Sequence, residues 1–77
     1  MTKAIIRLPG IGSVQKFVHK VNEYGYEVDL YSHRIVIDAK SILGVLSINR
    51  DEPLEMHIYN DKCDDLLKDL EEFICYE

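Results

Sequence analysis

The sequence predicts one α+β domain in which a four-stranded antiparallel sheet carries three helices on one face, in the order βαββαβα. Two patterns support this fold class. Three short segments alternate apolar and polar residues like half-buried strands, with a fourth segment as the return strand of a hairpin, and three segments repeat apolar residues at helical spacing. The chain has 77 residues, which leaves room for a single hydrophobic core. The predicted connections are short, so we expect one domain over residues 1–77.

The first strand is predicted over residues 2–8, with the side chains at 4, 6 and 8 facing the core. Pro9 and Gly10 then break the pattern, because proline has no N–H to donate to a sheet. We expect Ser13 to cap the first helix and Gly25 to end it. The apolar stripe of this helix consists of Val14, Phe17, Val18 and Val21.

A β-hairpin and a short helix are predicted in the middle of the chain. Residues 26–31 and 34–38 form the two strands of the hairpin, joined by a turn at Ser32 and His33. The short helix is predicted over residues 41–48.

The last two elements are a strand and a helix. The strand is predicted over residues 54–58, with His57 on its polar face. Asn60 or Asp61 is expected to cap the final helix. Its apolar stripe consists of Cys63, Leu66, Leu67, Leu70 and Phe73.

The charge and the hydropathy pattern exclude several classes of partner. The formal net charge is −5 and the nine Lys and Arg residues form no run, so we expect no nucleic-acid binding. No stretch approaches the roughly 18 apolar residues of a membrane span. The N-terminus does not have the pattern of a signal peptide, which predicts a cytoplasmic protein.

The residues that commonly perform catalysis or bind metals are scattered. His19, His33 and His57 lie on different predicted elements, and no Ser/His/Asp or Cys/His set shares a local element. Cys63 and Cys75 lie twelve residues apart without a CxxC motif, which favours reduced packing thiols. We therefore predict no catalytic residue, no metal and no cofactor.

The glycine-containing loop from Gly10 to Ser13 leads from a strand into a helix. Free N–H groups and the helix dipole make such a place receptive to an anion. The alternative is an ordinary turn that binds nothing, since glycine turns of this kind are common.

The short helix has apolar residues at almost every position. A two-turn helix on an open sheet buries one side only, so part of this set is expected to face solvent as a docking surface. Ser41 stands at the first turn, where phosphorylation would add about −2 charges. The alternative is a serine cap over a buried helix. The apolar residues are Ile42, Leu43, Val45, Leu46 and Ile48.

The same segment resembles a known family. Residues 38–47 read Asp38-Ala39-Lys40-Ser41-Ile42-Leu43-Gly44-Val45-Leu46-Ser47. This is similar to the second helix of HPr, the histidine-containing phosphocarrier of the bacterial phosphotransferase system. Phe17-Val18 and Val28-Asp29-Leu30 also resemble the first helix and the second strand of that family. The resemblance implies an HPr-like open-faced sandwich.

The resemblance breaks at the loop before the first helix. HPr has a Gly-aliphatic-His-x-Arg-Pro run there, whose histidine takes phosphate from enzyme I. This chain has Gly10, Ile11, Gly12 and Ser13 instead, so the loop is expected to be degenerate and phosphohistidine transfer to be lost.

The family resemblance also implies partners. Ser41 matches the serine that HPr kinase modifies, which makes it a candidate for regulatory phosphorylation. Lys40, Ile42, Leu43 and Leu46 match the docking surface for a phosphotransferase-system enzyme, HPr kinase or a transcriptional regulator. The sequence thus predicts a non-catalytic regulatory or adaptor protein, a monomer or a weak homodimer.

Two alternatives remain open at this point. The run from Arg7 to Gly12 weakly resembles the phosphate loop of small acylphosphatases, which also need an asparagine to position water; the candidates are Asn22, Asn49 and Asn60. The other alternative is a ferredoxin-like ligand-binding regulatory module, in which Leu43 and Leu46 would mark a homodimer face.

Overall fold

The computed structural model describes residues 1–75, and its elements follow the predicted order βαββαβα. They are β1 (Thr2–Ile6), α1 (Ile11–Asn22), β2 (Val28–Ser32), β3 (Ile35–Asp38), α2 (Ile42–Ser47), β4 (Leu54–Ile58) and α3 (Asp64–Asp69). Within the described residues, no helix is long and apolar enough to cross a membrane.

The four strands form one antiparallel sheet in the order β1-β4-β2-β3. The strands β4 and β2 are central, and β1 and β3 lie at the edges. Met56 on β4 stands opposite Ala4 on β1 and Leu30 on β2, so the side chains of one register row share a face.

One face of this sheet packs against the three helices and forms the core. Alternation places Leu54, Met56 and Ile58 on this face, and all three are buried as predicted. Phe17 of α1 packs edge-to-face on Phe73, with ring centroids 5.6 Å apart. The buried set includes Ile6, Leu8, Val14, Val21, Leu30, Val45, Leu66 and Leu70. The predicted four-stranded antiparallel sheet with three helices is confirmed.

The predicted ends of α1 are wrong. The helix begins at Ile11 because the Gly10 carbonyl already accepts the Val14 N–H (3.1 Å), so Gly10, not Ser13, is the N-cap. Glycine is tolerated there because the cap needs an extended backbone, here φ −132° and ψ 166°. The helix ends at Asn22, and Gly25 lies beyond it without the positive φ of a glycine C-cap.

The predicted cap of α3 is also wrong. The helix begins at Asp64 after Cys63, and no side chain caps it. The Asn60 side-chain oxygen instead accepts the N–H of Lys62 at 2.8 Å. This bond forms an Asx turn, so Asn60 shapes the loop and does not cap the helix.

Several strand boundaries differ from the prediction, and β2 begins at Val28 where the predicted strand began at Tyr26. β1 ends at Ile6 because the Arg7 N–H turns to the Phe73 carbonyl, 2.9 Å away. In the hairpin, Ser32 still pairs with Ile35, so the turn residues are His33 and Arg34. His33 has φ 56°, the positive value that hairpin turns require at this position.

His57 lies on the open face of the sheet, as predicted, but it is only 7% exposed. The Tyr31 ring covers it, with centroids 3.9 Å apart and nearly parallel planes. Its Nε2 lies 2.7 Å from Glu55 Oε1. Alternation alone does not reveal this burial, because the covering ring comes from the neighbouring strand.

Candidate docking surface and the loop before α1

The start of α2 is set by a compact turn. The Asp38 side chain accepts the Lys40 N–H at 2.9 Å, and its carbonyl accepts the Ser41 N–H at 3.0 Å. Ser41 is the N-cap, and its Oγ accepts the Gly44 N–H at 3.4 Å. The Ser41 carbonyl accepts the Val45 N–H at 3.0 Å. The serine cap, which belonged to the alternative interpretation of a buried helix, is therefore present, and the helix covers Ile42–Ser47 where residues 41–48 were predicted.

Residues at and after the end of α1 make hydrogen bonds with this turn. The Asn22 amide donates to the Lys40 carbonyl at 3.1 Å and to the Val18 carbonyl at 2.8 Å. The Lys40 ammonium donates to the Tyr24 carbonyl at 2.8 Å, and this side chain is half-buried. Lys40 therefore holds α2 to α1, a structural role that its predicted docking role did not anticipate.

The outer side of α2 exposes apolar side chains while the inner side is packed. Val45 is fully buried, and Leu46 is half-buried against the core. Leu43 is 78% exposed and Ile42 39% exposed. We call Ser41, Ile42, Leu43 and Leu46 the α2 surface. Leu43 and Ile42 form its apolar outer part.

Gly44 lies between the N-cap of its own helix and β3. A Cβ added at this residue would stand 3.4 Å from Ser41 Oγ and 3.7 Å from Ile37 Cβ on β3. These are ordinary van der Waals distances, so the position packs on the helix cap and on β3 without requiring glycine.

The loop from Gly10 to Ser13 opens onto a cavity of about 330 Å³. Ile11, Gly12 and Ser13 form the first turn of α1, which contains no acidic residue. The N–H groups of such a turn have no partner within the helix. The cavity is lined by Arg7, Pro9, Gly12, Ser13, Lys16, Glu72 and Phe73.

The charged groups of this cavity partly neutralise one another. Lys16 Nζ lies 3.0 Å from Glu72 Oε1, and its hydrogen bond lowers the pKa of the Glu72 carboxyl. Arg7 adds a second positive charge to the wall. Sequence reasoning missed Lys16 and Glu72 as members of this site, because residues so far apart in the chain give no local signal.

The three histidines lie away from this cavity, and each is next to a carboxylate. His19 Nε2 is 3.7 Å from Glu23, and His33 Nε2 is 3.1 Å from Glu52. His57 contacts Glu55, as described above. Among residues 1–75, no group of three His, Cys, Asp or Glu side chains is arranged to hold a metal ion.

The asparagines of the acylphosphatase alternative are used elsewhere. Asn22 donates to helix and turn carbonyls, and Asn60 shapes the loop before α3. The Asn49 side chain accepts the Asp51 N–H at 2.9 Å. Arg7 does line the cavity, but none of the three asparagines is among the lining residues of this cavity. The geometry does not favour that alternative.

The fold is similar to solved structures of HPr proteins. One is HPr-C-His from Thermoanaerobacter tengcongensis, with a TM-score of 0.77 and 16% identity, covering 94% of this chain and 89% of that chain. Another is the phosphocarrier protein HPr from Bacillus anthracis str. Ames, with a TM-score of 0.70 and 14% identity, covering 96% of both chains. No family model and no curated protein matches the sequence. The chain therefore has an HPr-like fold, which confirms the predicted open-faced sandwich.

Proposed function

We propose that this chain is a regulatory or adaptor protein of the phosphotransferase system, which docks protein partners through the α2 surface and does not transfer phosphohistidine. The observation that supports it most is Leu43, 78% exposed on a short helix whose inner side is packed through the buried Val45. Ile42 lies next to Leu43 in the helix and is also exposed, and a contiguous apolar patch of this kind on a small domain with an HPr-like fold supports a partner that covers it.

The proposed partners are a phosphotransferase-system enzyme, HPr kinase or a transcriptional regulator, in the cytoplasm. The contacts around α2 support docking at this surface, because the Ser41 cap and the Asn22 and Lys40 bonds hold the helix in place before any partner arrives. A preorganised surface loses less conformational entropy on binding. Ser41 is exposed, so a phosphate on it would place negative charge beside Ile42 and Leu43 and regulate docking.

The loop before α1 supports loss of the phosphate relay. Phosphohistidine transfer needs an imidazole nitrogen at the helix N-terminus, and this turn contains Ile11, Gly12 and Ser13. His19 lies in the middle of α1, where its Nε2 faces Glu23 and not the N-terminal amides. We expect incubation with enzyme I and phosphoenolpyruvate to leave no acid-labile phosphate, with an active HPr as positive control. Phosphate on His19 would contradict the proposal.

Docking is tested by Leu43→Glu, which introduces a charge at the most exposed apolar position of the α2 surface. We expect at least about a tenfold loss of affinity for the HPr-binding domain of enzyme I, measured by calorimetry, because a central apolar anchor contributes about 2 kcal/mol or more and about 1.4 kcal/mol is tenfold. Ile5→Glu is the matched control, since Ile5 is exposed on β1 at the open face of the sheet. Equal affinity for wild type and Leu43→Glu would contradict docking through this surface.

A further inference from the structure

We propose that the free edge of β3 pairs with the same edge of a second copy of this chain, as antiparallel strands centred on Val36. Among residues 1–75, the strand β3 ends the sheet and pairs only with β2. The proposal concerns a surface outside the α2 surface, and it does not rest on the proposed function.

The direction of the backbone groups on β3 limits the possible registers. The Ala39 N–H donates to the Val28 carbonyl of the neighbouring segment at 2.9 Å. Because these groups alternate along an antiparallel strand, the N–H groups of Ile35 and Ile37 also point toward β2, and those of Val36 and Asp38 point away from it. A second strand on this edge must therefore place its own free N–H and carbonyl groups opposite those of Val36 and Asp38.

The register centred on Val36 also places opposite charges across from each other. Arg34, the last residue of the hairpin turn, and Asp38, the last residue of β3, lie two residues before and two residues after Val36. In an antiparallel pair centred on Val36, Arg34 stands opposite Asp38 of the second copy, and the two-fold axis repeats the pair at the other end. Both side chains are exposed, and opposite charges across strands stabilise a sheet.

The backbone supplies four inter-chain hydrogen bonds in this register. Val36 exchanges an N–H and a carbonyl with Val36 of the second copy, which gives two bonds. The Asp38 N–H donates to the Arg34 carbonyl of the other chain at each end, which gives two more. The Asp38 carbonyl is not counted, because it already accepts the Ser41 N–H.

The apolar side chains of the edge fit the same pairing. Val36 is 49% exposed and Ile35 55% exposed, although both lie in a regular strand. In the proposed register Val36 meets its own copy on the open face, and Ile35 lies opposite Ile37 on the other face. An exposed apolar edge of this kind is a template for strand addition.

A second copy fits this edge better than a foreign strand because the edge complements itself in backbone hydrogen bonding and in charge. The strand is short, with four residues. Its interface is smaller than that of stable complexes, so we expect a weak dimer with a dissociation constant of roughly 0.1–1 mM. Such a dimer forms only at high local concentration.

Charge reversal tests the register. In Arg34→Glu, the introduced carboxylate faces Asp38 of the other copy, and in Asp38→Arg two arginines face each other. Each variant alone is expected to dimerise about tenfold more weakly than wild type, by sedimentation equilibrium up to roughly 1 mM. An equimolar mixture of the two is expected to recover wild-type affinity, because both ends then pair opposite charges.

Recovery of dimerisation in the mixture would show that the two substitutions act on the pairing of strands. Two variants that had lost affinity by misfolding would not recover it when mixed. If Asp38→Arg fails to fold because the Lys40 N–H loses its acceptor, wild type still decides the question. Its Val36 amide resonance is expected to shift with concentration, and the amide of Leu30 on β2 to remain unchanged. Absence of self-association in wild type at roughly 1 mM, or a dimer unaffected by Arg34→Glu, would overturn the proposal.

Discussion

Ser41 has two separable roles at the level of the residue. Its Oγ accepts the Gly44 N–H, which stabilises the start of α2, and its exposed hydroxyl makes it the candidate for phosphorylation. The capping bond is long at 3.4 Å, which places its contribution at the low end for such caps. An aspartate at this position keeps a capping oxygen and adds a negative charge, so it separates the two roles.

We expect Ser41→Ala to lower the free energy of unfolding by about 0.5–1 kcal/mol, because the helix loses its N-cap. Ser41→Asp is expected to keep wild-type stability but to bind enzyme I more weakly, because of the added charge. Urea unfolding measures the first effect and calorimetry the second. Ser47→Ala is the control, since Ser47 Oγ donates to a helix carbonyl that water can also satisfy. A stability of Ser41→Ala equal to wild type would show that the capping bond contributes nothing.

At the level of elements, the sequence predicts the strands better than the helix ends. Alternation survives in β4 because one face of the strand is buried and a shift of one residue would expose Met56. Helix ends depend on single hydrogen bonds, such as that from Val14 to Gly10, which a pattern of residue types does not contain. The α2 cap was predictable because serine both begins the apolar pattern and is its capping residue.

The candidate site was likewise predictable in one part, the α2 surface, and not in the other, the cavity before α1. The α2 surface was predicted from local sequence, because Ser41, Ile42 and Leu43 are neighbours in the chain. The cavity before α1 was predicted only in its loop. The side chain of Glu72 comes from the far end of the chain and contacts Lys16, and no local pattern links those two residues.

The Lys16–Glu72 pair joins α1 to the segment after α3 and makes this contact pH-dependent. The folded chain holds the pKa of Glu72 below its ordinary value of 4.5, mainly through the Lys16 hydrogen bond. The contribution of the pair to stability is therefore present above about pH 4.5 and is lost as pH falls through the folded pKa. Both side chains are exposed, so we expect a small effect.

We expect a ¹³C titration of the Glu72 carboxyl to show a lowered midpoint in wild type. Lys16→Met should return this midpoint toward the ordinary glutamate value and flatten the acid side of the stability profile. Lys68→Met is the control, because Lys68 is an exposed lysine of α3 that makes no ion pair within residues 1–75. An unchanged Glu72 midpoint in Lys16→Met would show that the pair does not form in solution.

At the level of the whole molecule, one small core has to stabilise all seven elements. Domains of this size rarely exceed about 3–5 kcal/mol from a single core. Met56 lies at its centre, fully buried on a central strand between Ala4 and Leu30. Leu43 is a side chain of similar size, but its contacts are mostly with solvent. Met56 therefore stabilises the fold, whereas the side chain of Leu43 is available to a partner.

We expect Met56→Ala to lower the free energy of unfolding by about 2–5 kcal/mol, most of what such a domain has, so that a large fraction unfolds without denaturant. Leu43→Ala should change it by less than about 0.5 kcal/mol while weakening the binding of enzyme I. Urea unfolding and calorimetry on the same two variants measure both effects. If Leu43→Ala destabilised the domain as much as Met56→Ala does, its side chain would belong to the core in solution. The α2 surface would then have no apolar anchor to offer a partner.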